Sequence, residues 1–432
     1  MPSKPFLQTP DSRLPPLHIA IIGAGISGNT AAYLLAQQHE VTLFEANDYA
    51  GGHAHTHDIL VDGVPVTIDT GFMVFNKRTY PNFCRLLDEL GVESRPSDMS
   101  LSVQVPHANL EFQGSSLSGL FAQRRNMFRP KFWRLLSEIK RFNQLATVYA
   151  TTEHDGEQTL GELLDEWRIN RELRDWYLTP MTAAIWSAPP SAIEALPAYF
   201  ILGFYRNHGL LQLSDRPQWR TIVGGARVYV EALLKSPNIR LRLSAPIREV
   251  VRTRSGVELT TSAGSTESFD TVLLACHADQ ALRMLADATT DERRILSAFP
   301  YQPNEAVVHT DPTVMPRRGR AWASWNYTAG PTDAGERSVT VTYHLNRLQG
   351  FASPRPVFVT LNPLTPIRDE HIIKRLQYTH PAYSVASVAA QREHTMINGR
   401  GGMYFCGAYW GYGFHEDGVR SAMSAVAPLI AK

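Results

Sequence analysis

The stretch from His18 to Glu45, HIAIIGAGISGNTAAYLLAQQHEVTLFE, constrains the fold of this chain more than any other segment. His18 to Ile22 reads as a short buried parallel strand, three glycines at GxGxxG spacing follow, and Thr30 to Gln38 has helical character. Each glycine has a mechanical reason. Gly23 permits the tight strand-to-helix turn, Gly25 lets the backbone at Ile26 and Ser27 approach a pyrophosphate, and Gly28 lets the helix pack closely on the strand. The helix N-terminus then faces the anion. A second strand, Glu40 to Phe44, ends at Glu45, which with Ala46 beside it would meet the adenosine ribose. A carboxylate there accepts the ribose hydroxyls and repels a 2′-phosphate, so an NADP-type ligand is not expected. Strand, turn, helix, strand and terminal acid in this order predict an α/β dinucleotide-binding domain, where a lone GxGxxG would not.

A chain of 432 residues exceeds one ordinary core, so a second domain or a large insertion is expected around this unit. Lysine plus arginine (42) nearly balances aspartate plus glutamate (41), which argues against a nucleic-acid partner. Cys84, Cys276 and Cys406 form no CxxC pair and no zinc-spaced cluster, so we expect no metal and a reducing compartment. The opening MPSKPFLQTPDSRLPPL has no apolar core of the secretory kind, and residues 1–16 are expected to be a flexible tail. No apolar run reaches the roughly 18 residues that span a bilayer, so the expected location is cytoplasmic, with at most peripheral contact to the inner membrane.

Just past the second strand comes Gly51-Gly52-His53. EANDYAGGH resembles the acid-then-GG segment of the flavin amine oxidase and phytoene desaturase superfamily, in which the two glycines follow the pyrophosphate of FAD. The superfamily often has arginine where this chain has His53, which is either an anion-facing group or a packed surface histidine. The loop Asp69-Thr-Gly-Phe-Met-Val-Phe-Asn76 reads from its residues as a strand ending in a turn; the resemblance puts Thr70, Gly71 and Phe72 beside the flavin. Paired glycines open an apolar-periodic helix within Thr221 to Leu234, and the resemblance makes Ile247 to Val251 an adenine-contacting strand with Val250 near the ring. In the last segment, FCGAYWGYGFHEDGVRSA, Gly407 and Ala408 would lie along the ribityl-phosphate chain. Gly418 and Val419 would offer helix N-terminal amides to the flavin's pyrimidine edge. Cys406 does not match the superfamily's cysteine-linked position, so noncovalent FAD is expected. The implied fold is an FAD-binding Rossmann-like domain of the glutathione-reductase type (17–78, 218–278 and 392–432), interleaved with an α+β substrate domain (79–217 and 279–391).

AYWGYGFHEDGVRSA, with DTGFMVFN, IWSAP, NHGLL, PQWRTIVGGAR, VFVTLNP and YHLNRLQ, is similar to one branch of that superfamily. The branch includes the N-terminal amine-oxidase-like half of plant cyclopropane fatty acid synthases and bacterial relatives linked to methyl-branched and furan fatty acids. The resemblance implies a fatty acyl or phospholipid substrate, a desaturase or dehydrogenase reaction, and a cyclopropane synthase-type methyltransferase as partner. Amine oxidation, a flavin-holding accessory role beside that methyltransferase, and redox-neutral isomerisation are the alternatives.

His415 is the favoured proton acceptor, with Glu416, Asp417, His208 and His344 as other candidates. His415 could instead only pack the turn, and the two acids could simply favour the helix dipole. Tyr409, Trp410, Tyr412 and Phe414 are candidates to frame the ring face. Ala195 to Tyr205 suits either a chain-shaped pocket or an ordinary buried helix. Phe121 to Phe142 interleaves Arg124, Arg125, Arg129, Lys131, Arg134, Lys140 and Arg141 with aromatic and aliphatic residues against the single acid Glu138. It suits an anionic membrane surface or a solvated helix packed on its own domain.

Overall fold

Five short strands, apolar along most of their length, form a parallel sheet in the order Ile239–Arg242, Glu40–Phe44, His18–Ile22, Thr271–Leu274, Met403–Phe405. The computed structural model describes residues 15–152, 156, 158–186, 190–212, 216–333 and 336–430. The expected tail over 1–16 therefore lies outside the described residues except for Pro15 and Pro16.

Strand side chains alternate between two faces, and each face needs its own cover. Ile19, Ile21, Val41, Leu43 and Leu273 point into one core, which holds the helices Ile26–Leu35, Arg227–Leu233, Pro81–Leu90 and His415–Val426. Ala20, Ile22, Phe44, Val272 and Leu274 point into the other. There the covers are the antiparallel meander Ile247–Arg252, Val257–Thr261, Thr266–Phe269 and the helices Ala278–Met284 and Thr290–Leu296.

The second body is a mixed seven-stranded sheet. Its order is Ile372–Pro381, Tyr301–His309, Phe358–Leu361, Glu336–His344, Trp325–Asp333, Leu101–Val105, Leu110–Gln113, antiparallel except where Trp325–Asp333 meets Leu101–Val105. Its core takes in residues of the helices Pro130–Tyr149, Leu160–Glu166, Thr179–Trp186 and Ala198–Asn207. The boundaries expected near 79 and 279 differ from this packing. Phe83, Leu86 and Leu87 belong to the first core of the parallel sheet, and Ala281, Ile295 and Phe299 to the second. Apolar faces, not the absence of nucleotide motifs, decide which body a helix joins. Among the described residues no helix is long and apolar enough to cross a membrane.

Candidate functional site

The fingerprint turn leaves no room for side chains at its first and last glycines. Gly23 sits at φ +103, and a Cβ there would lie 2.9 Å from the Ala275 carbonyl oxygen; a Cβ on Gly28 would lie 1.8 Å from the Gly23 oxygen. Gly25 is different: nothing lies within 4 Å of its Cβ position, and it caps the helix Ile26–Leu35 without any side-chain bond. The amides of Ile26, Ser27 and Gly28 have no intrahelical acceptor, and no acid stands in that first turn to occupy them. Glu45 is 7% exposed; its Oε2 accepts from the Ala24 amide at 2.8 Å and its Oε1 from Asn47, so the acid is aimed at the turn, with Ala46 exposed beside it. The GG loop presses on the same turn. Gly51 donates its amide to the Ala24 oxygen at 2.7 Å, and a Cβ on Gly52, at φ +58, would come 3.2 Å from the Gly25 Cα.

His53 continues this wall. Its carbonyl accepts from the Phe72 amide at 2.8 Å, and a Cβ on Gly71 would lie 2.2 Å from that same oxygen. Its ring packs among Tyr378, His380 and His277 at 5.2, 5.3 and 6.1 Å between centroids. His53 is thus half-buried and packed against rings, and its Nε2, itself shut off from solvent, has no hydrogen-bond partner among the described residues. Burial pushes His53 below the usual imidazole range and holds His277 and His380 at about 3. An arginine here would bring an obligatory charge into a cluster that holds only neutral rings. Thr70 is engaged by the Tyr378 hydroxyl at 2.6 Å. Asp69 accepts from the Thr56 hydroxyl and the Ala226 amide, which fastens the Gly224-Gly225 turn beneath the loop; burial pushes its carboxyl up to about 6.

Phe72 lies flat on His415, with centroids 3.5 Å apart and planes 12° apart, and His415 Nε2 shares a 2.8 Å hydrogen bond with the Tyr229 hydroxyl. Burial pushes this imidazole far below its usual range, so it is neutral at physiological pH. Tyr229 was not legible as a site residue, because it sits in an apolar helix repeat. The other two candidates of this turn are already committed. Glu416 accepts from the Asn82 and Phe83 amides at 3.1 and 3.0 Å and so caps the helix Pro81–Leu90, while Asp417 accepts from the Tyr412 and Phe414 amides and pairs with Arg420 at 2.7 Å. Both carboxylates thus hold backbone amides in place.

Two expectations for the closing segment change. The Gly418 amide donates to the Phe414 carbonyl at 3.1 Å, and a Cβ on Gly418 would meet Ile26 Cγ2 at 2.7 Å. Gly418 therefore serves close packing of two helices, and Val419 is fully buried in the core. The first-turn amides of His415–Val426 that precede any intrahelical acceptor belong to His415, Glu416 and Asp417. Val250 is also fully buried, and its carbonyl accepts one hydrogen bond, from the Ala286 amide at 3.2 Å. Gly407 donates to Ser421 Oγ at 3.1 Å, and the Ala408 carbonyl accepts from Gly411 and Gly413. Cys406, just before them, is completely buried, and burial pushes its thiol up.

The four aromatics divide. Tyr409 and Trp410 pack on Phe299 at 5.0 and 5.2 Å, away from the others. Tyr412 and Phe414 face the helix Ala198–Asn207: Tyr412 is 4.8 Å from Phe200, and Phe414 stacks on Phe204 at 5.1 Å. Trp186 and His208 complete this wall, each in ring contact with Phe204. His208 is held at about 4 by burial. His344, likewise at about 4, has its ring contacts with Trp322 and Phe358 instead. Removing the hydroxyl from Tyr229 leaves His415 buried with one partner fewer. We expect Tyr229→Phe to lower unfolding stability by about 1–3 kcal/mol in urea titrations while the protein stays yellow.

Uncapped amides at a glycine turn, a carboxylate beside it and an unpartnered His53 Nε2 in the adjoining wall fit FAD, whose pyrophosphate Ile26 to Gly28 would hold and whose ribose Glu45 would meet. Fold and site together define a dinucleotide-binding flavoprotein with a separate, aromatic-walled second body. Residues 26–370 match the family of flavin-containing amine oxidoreductases, and the chain belongs to that family; its cofactor is FAD. Over 263 residues it is 26% identical to AofH of Mycobacterium tuberculosis, provisionally named a flavin-containing monoamine oxidase; the match covers 58% of this chain and 55% of AofH. The chain thus spans about half the length of that curated relative. Among solved structures, a fatty acid isomerase from P. acnes that produces CLA superposes with a TM-score of 0.68 at 16% identity, covering 97% of this chain and 98% of that one. Cyclohexylamine oxidase from Brevibacterium oxydans gives 0.68 at 19% identity, covering 96% and 99%. At such identities these two likenesses concern the fold.

Proposed function

We propose that this chain is an FAD-dependent oxidoreductase that desaturates methyl-branched or cyclopropane-type fatty acyl chains, carried free or on phospholipid. The observation that carries the reading is the wall made by Trp186, Phe200, Phe204, His208, Tyr412 and Phe414, whose members are all aromatic and whose histidine is held neutral. Such a set of rings suits an apolar chain, because it holds no charge to desolvate. The carboxylate of the same turn, Asp417, is bonded to two amides and paired with Arg420, so no free acid waits there for an ammonium group. The similarity of AYWGYGFHEDGVRSA to the cyclopropane synthase-associated branch points the same way, as does a fold that elsewhere holds a fatty acid isomerase.

FAD, bound noncovalently, supplies the acceptor for a hydride leaving the acyl chain. His415 is the group we assign to the proton that leaves the neighbouring carbon. Its neutral imidazole can take that proton at Nε2 once the Tyr229 hydroxyl turns aside, or Tyr229 can give its own proton to Nε2 while its oxygen takes the one from the substrate. Phe72 fixes the ring plane and Tyr229 its rotation. We assign supply of the substrate to a methyltransferase of the cyclopropane synthase type, since that chemistry installs the branch.

Incubation with phospholipid from cells expressing such a methyltransferase, followed by acyl-chain mass analysis, is expected to give chains lighter by two hydrogens. His415→Gln is expected to lower that rate by roughly 100-fold with FAD content unchanged. Turnover of simple amines instead, with peroxide release, supports the second reading, amine oxidation. The same rings favour that reading to the extent that aromatic faces attract cations. Full FAD occupancy with no turnover of either substrate supports an accessory role.

A further inference from the structure

In and just before the basic and aromatic stretch noted in the sequence, the structure separates two sets of apolar residues. Phe132, Leu135 and Phe142 turn inward and are 1%, 0% and 0% exposed. Leu117, Met127, Phe128 and Trp133 turn outward and are 78%, 48%, 84% and 52% exposed. The stretch is not one helix. Leu117–Leu120 is a single turn capped by Ser116, Arg124–Phe128 is a short tight turn, and a long helix runs from Pro130 to Tyr149 with proline in its first turn. Local bonds hold these pieces together: Trp133 Nε1 donates to the Met127 carbonyl at 2.8 Å, Arg129 donates to the Ala108 carbonyl at 3.2 Å, and the Phe121 and Trp133 rings lie 5.8 Å apart. The exposed rings are therefore presented by a built surface.

The charges around them are one-sided. Arg124, Lys131 and Lys140 are exposed and have no hydrogen-bond or ion-pair partner among the described residues. Arg125 reaches the Asn109 carbonyl, and Arg134 stands 3.8 Å from Glu172. The one acid of 121–142, Glu138, is paired with Arg141 at 3.2 Å. This excess lies in a chain whose formal net charge is only +1. Apolar residues that project beside unpaired cations offer both signals that stable attachment to an anionic bilayer requires. On its inner side the helix Pro130–Tyr149 packs against Ala198–Asn207, whose Phe200 and Phe204 belong to the aromatic wall.

We propose that this face, with Leu117, Met127, Phe128 and Trp133 at its centre and Arg124 and Lys131 at its margin, docks on the surface of an anionic lipid bilayer. The proposal stands apart from the acyl-chain reading, because docking is measured without turnover. The yellow holoprotein is sedimented with vesicles of phosphatidylcholine alone and with vesicles containing about a third phosphatidylglycerol. It is expected to pellet with the anionic vesicles only, and to be released as salt rises toward about 0.5 M. Arg124→Glu with Lys131→Glu and Lys140→Glu is expected to lower the bound fraction at least tenfold, as is Leu117→Ser with Phe128→Ser. All these side chains are exposed, so retained yellow colour and an unchanged melting temperature show that the variants are folded. Binding to neither vesicle, equal binding to both, or undiminished binding by either variant overturns the proposal. So does pelleting without vesicles, which would make a second copy of the chain the occupant, or release of the bound protein by added RNA, which would make it a nucleic acid.

Discussion

Two alanine substitutions five ångströms or so apart along one helix turn are expected to fail in different ways. Gly28→Ala forces a Cβ to within 1.8 Å of a backbone oxygen that cannot move without opening the turn, so the protein should lose more than about 3 kcal/mol of stability and accumulate as insoluble chain. Gly25→Ala places its methyl group in open space at φ −75, which any residue adopts. That variant should fold with the stability of the parent apoprotein to within about 0.5 kcal/mol. Its methyl group stands where the pyrophosphate must approach, so FAD affinity, read by flavin fluorescence on dilution, should fall by about 100-fold or more. A Gly25→Ala protein that retains FAD as tightly as the parent would remove the pyrophosphate from this turn.

Acid should unfold the protein steeply. His208, His309 and His344 are held at about 4 and His277 and His380 at about 3, in each case chiefly by burial. In the unfolded chain an imidazole titrates near 6.5, so between roughly pH 6.5 and 4 the unfolded state binds protons that the folded state refuses. Stability is then complete above pH 6.5 and is lost as pH falls through that window. Each such histidine contributes up to about 1.4 kcal/mol per pH unit, so the five together remove up to about 7 kcal/mol per unit. Asp69 and Asp417 act with the opposite sign. Both carboxyls are pushed up to about 6, so between about 4 and 6 the folded state binds the extra protons and acidification favours it. Two acids against five histidines do not reverse the slope. Urea midpoints measured from pH 7.5 to 4.5 are expected to drop sharply below pH 6.5, and a flat profile would mean that these imidazoles are solvated.

The nucleotide half was legible because backbone geometry requires particular residues there. Gly23 and Gly28 are glycines on account of the Ala275 and Gly23 carbonyls, and such demands repeat wherever a strand turns into a helix over a phosphate. Side-chain commitments formed across long separations were not legible. Glu416 reads as a first-turn acid in HEDG, yet it caps a helix more than 300 positions earlier in the chain. Tyr409, Trp410, Tyr412 and Phe414 read as one group, but the turn between them sends two rings to one core and two to another. His53 read as the counterpart of an arginine, and its neutral neighbours His277 and His380 come from a strand end and from the second body. No local pattern announces such meetings.

The central claim is that reducing equivalents pass from a branched acyl chain to the flavin of this protein. Anaerobic mixing of the yellow holoprotein with phospholipid from cells that express or lack a cyclopropane-type methyltransferase tests it directly, with the flavin absorbance as readout. Bleaching confined to the methylated lipid is the predicted result; bleaching by amines alone, or by neither lipid, would contradict it.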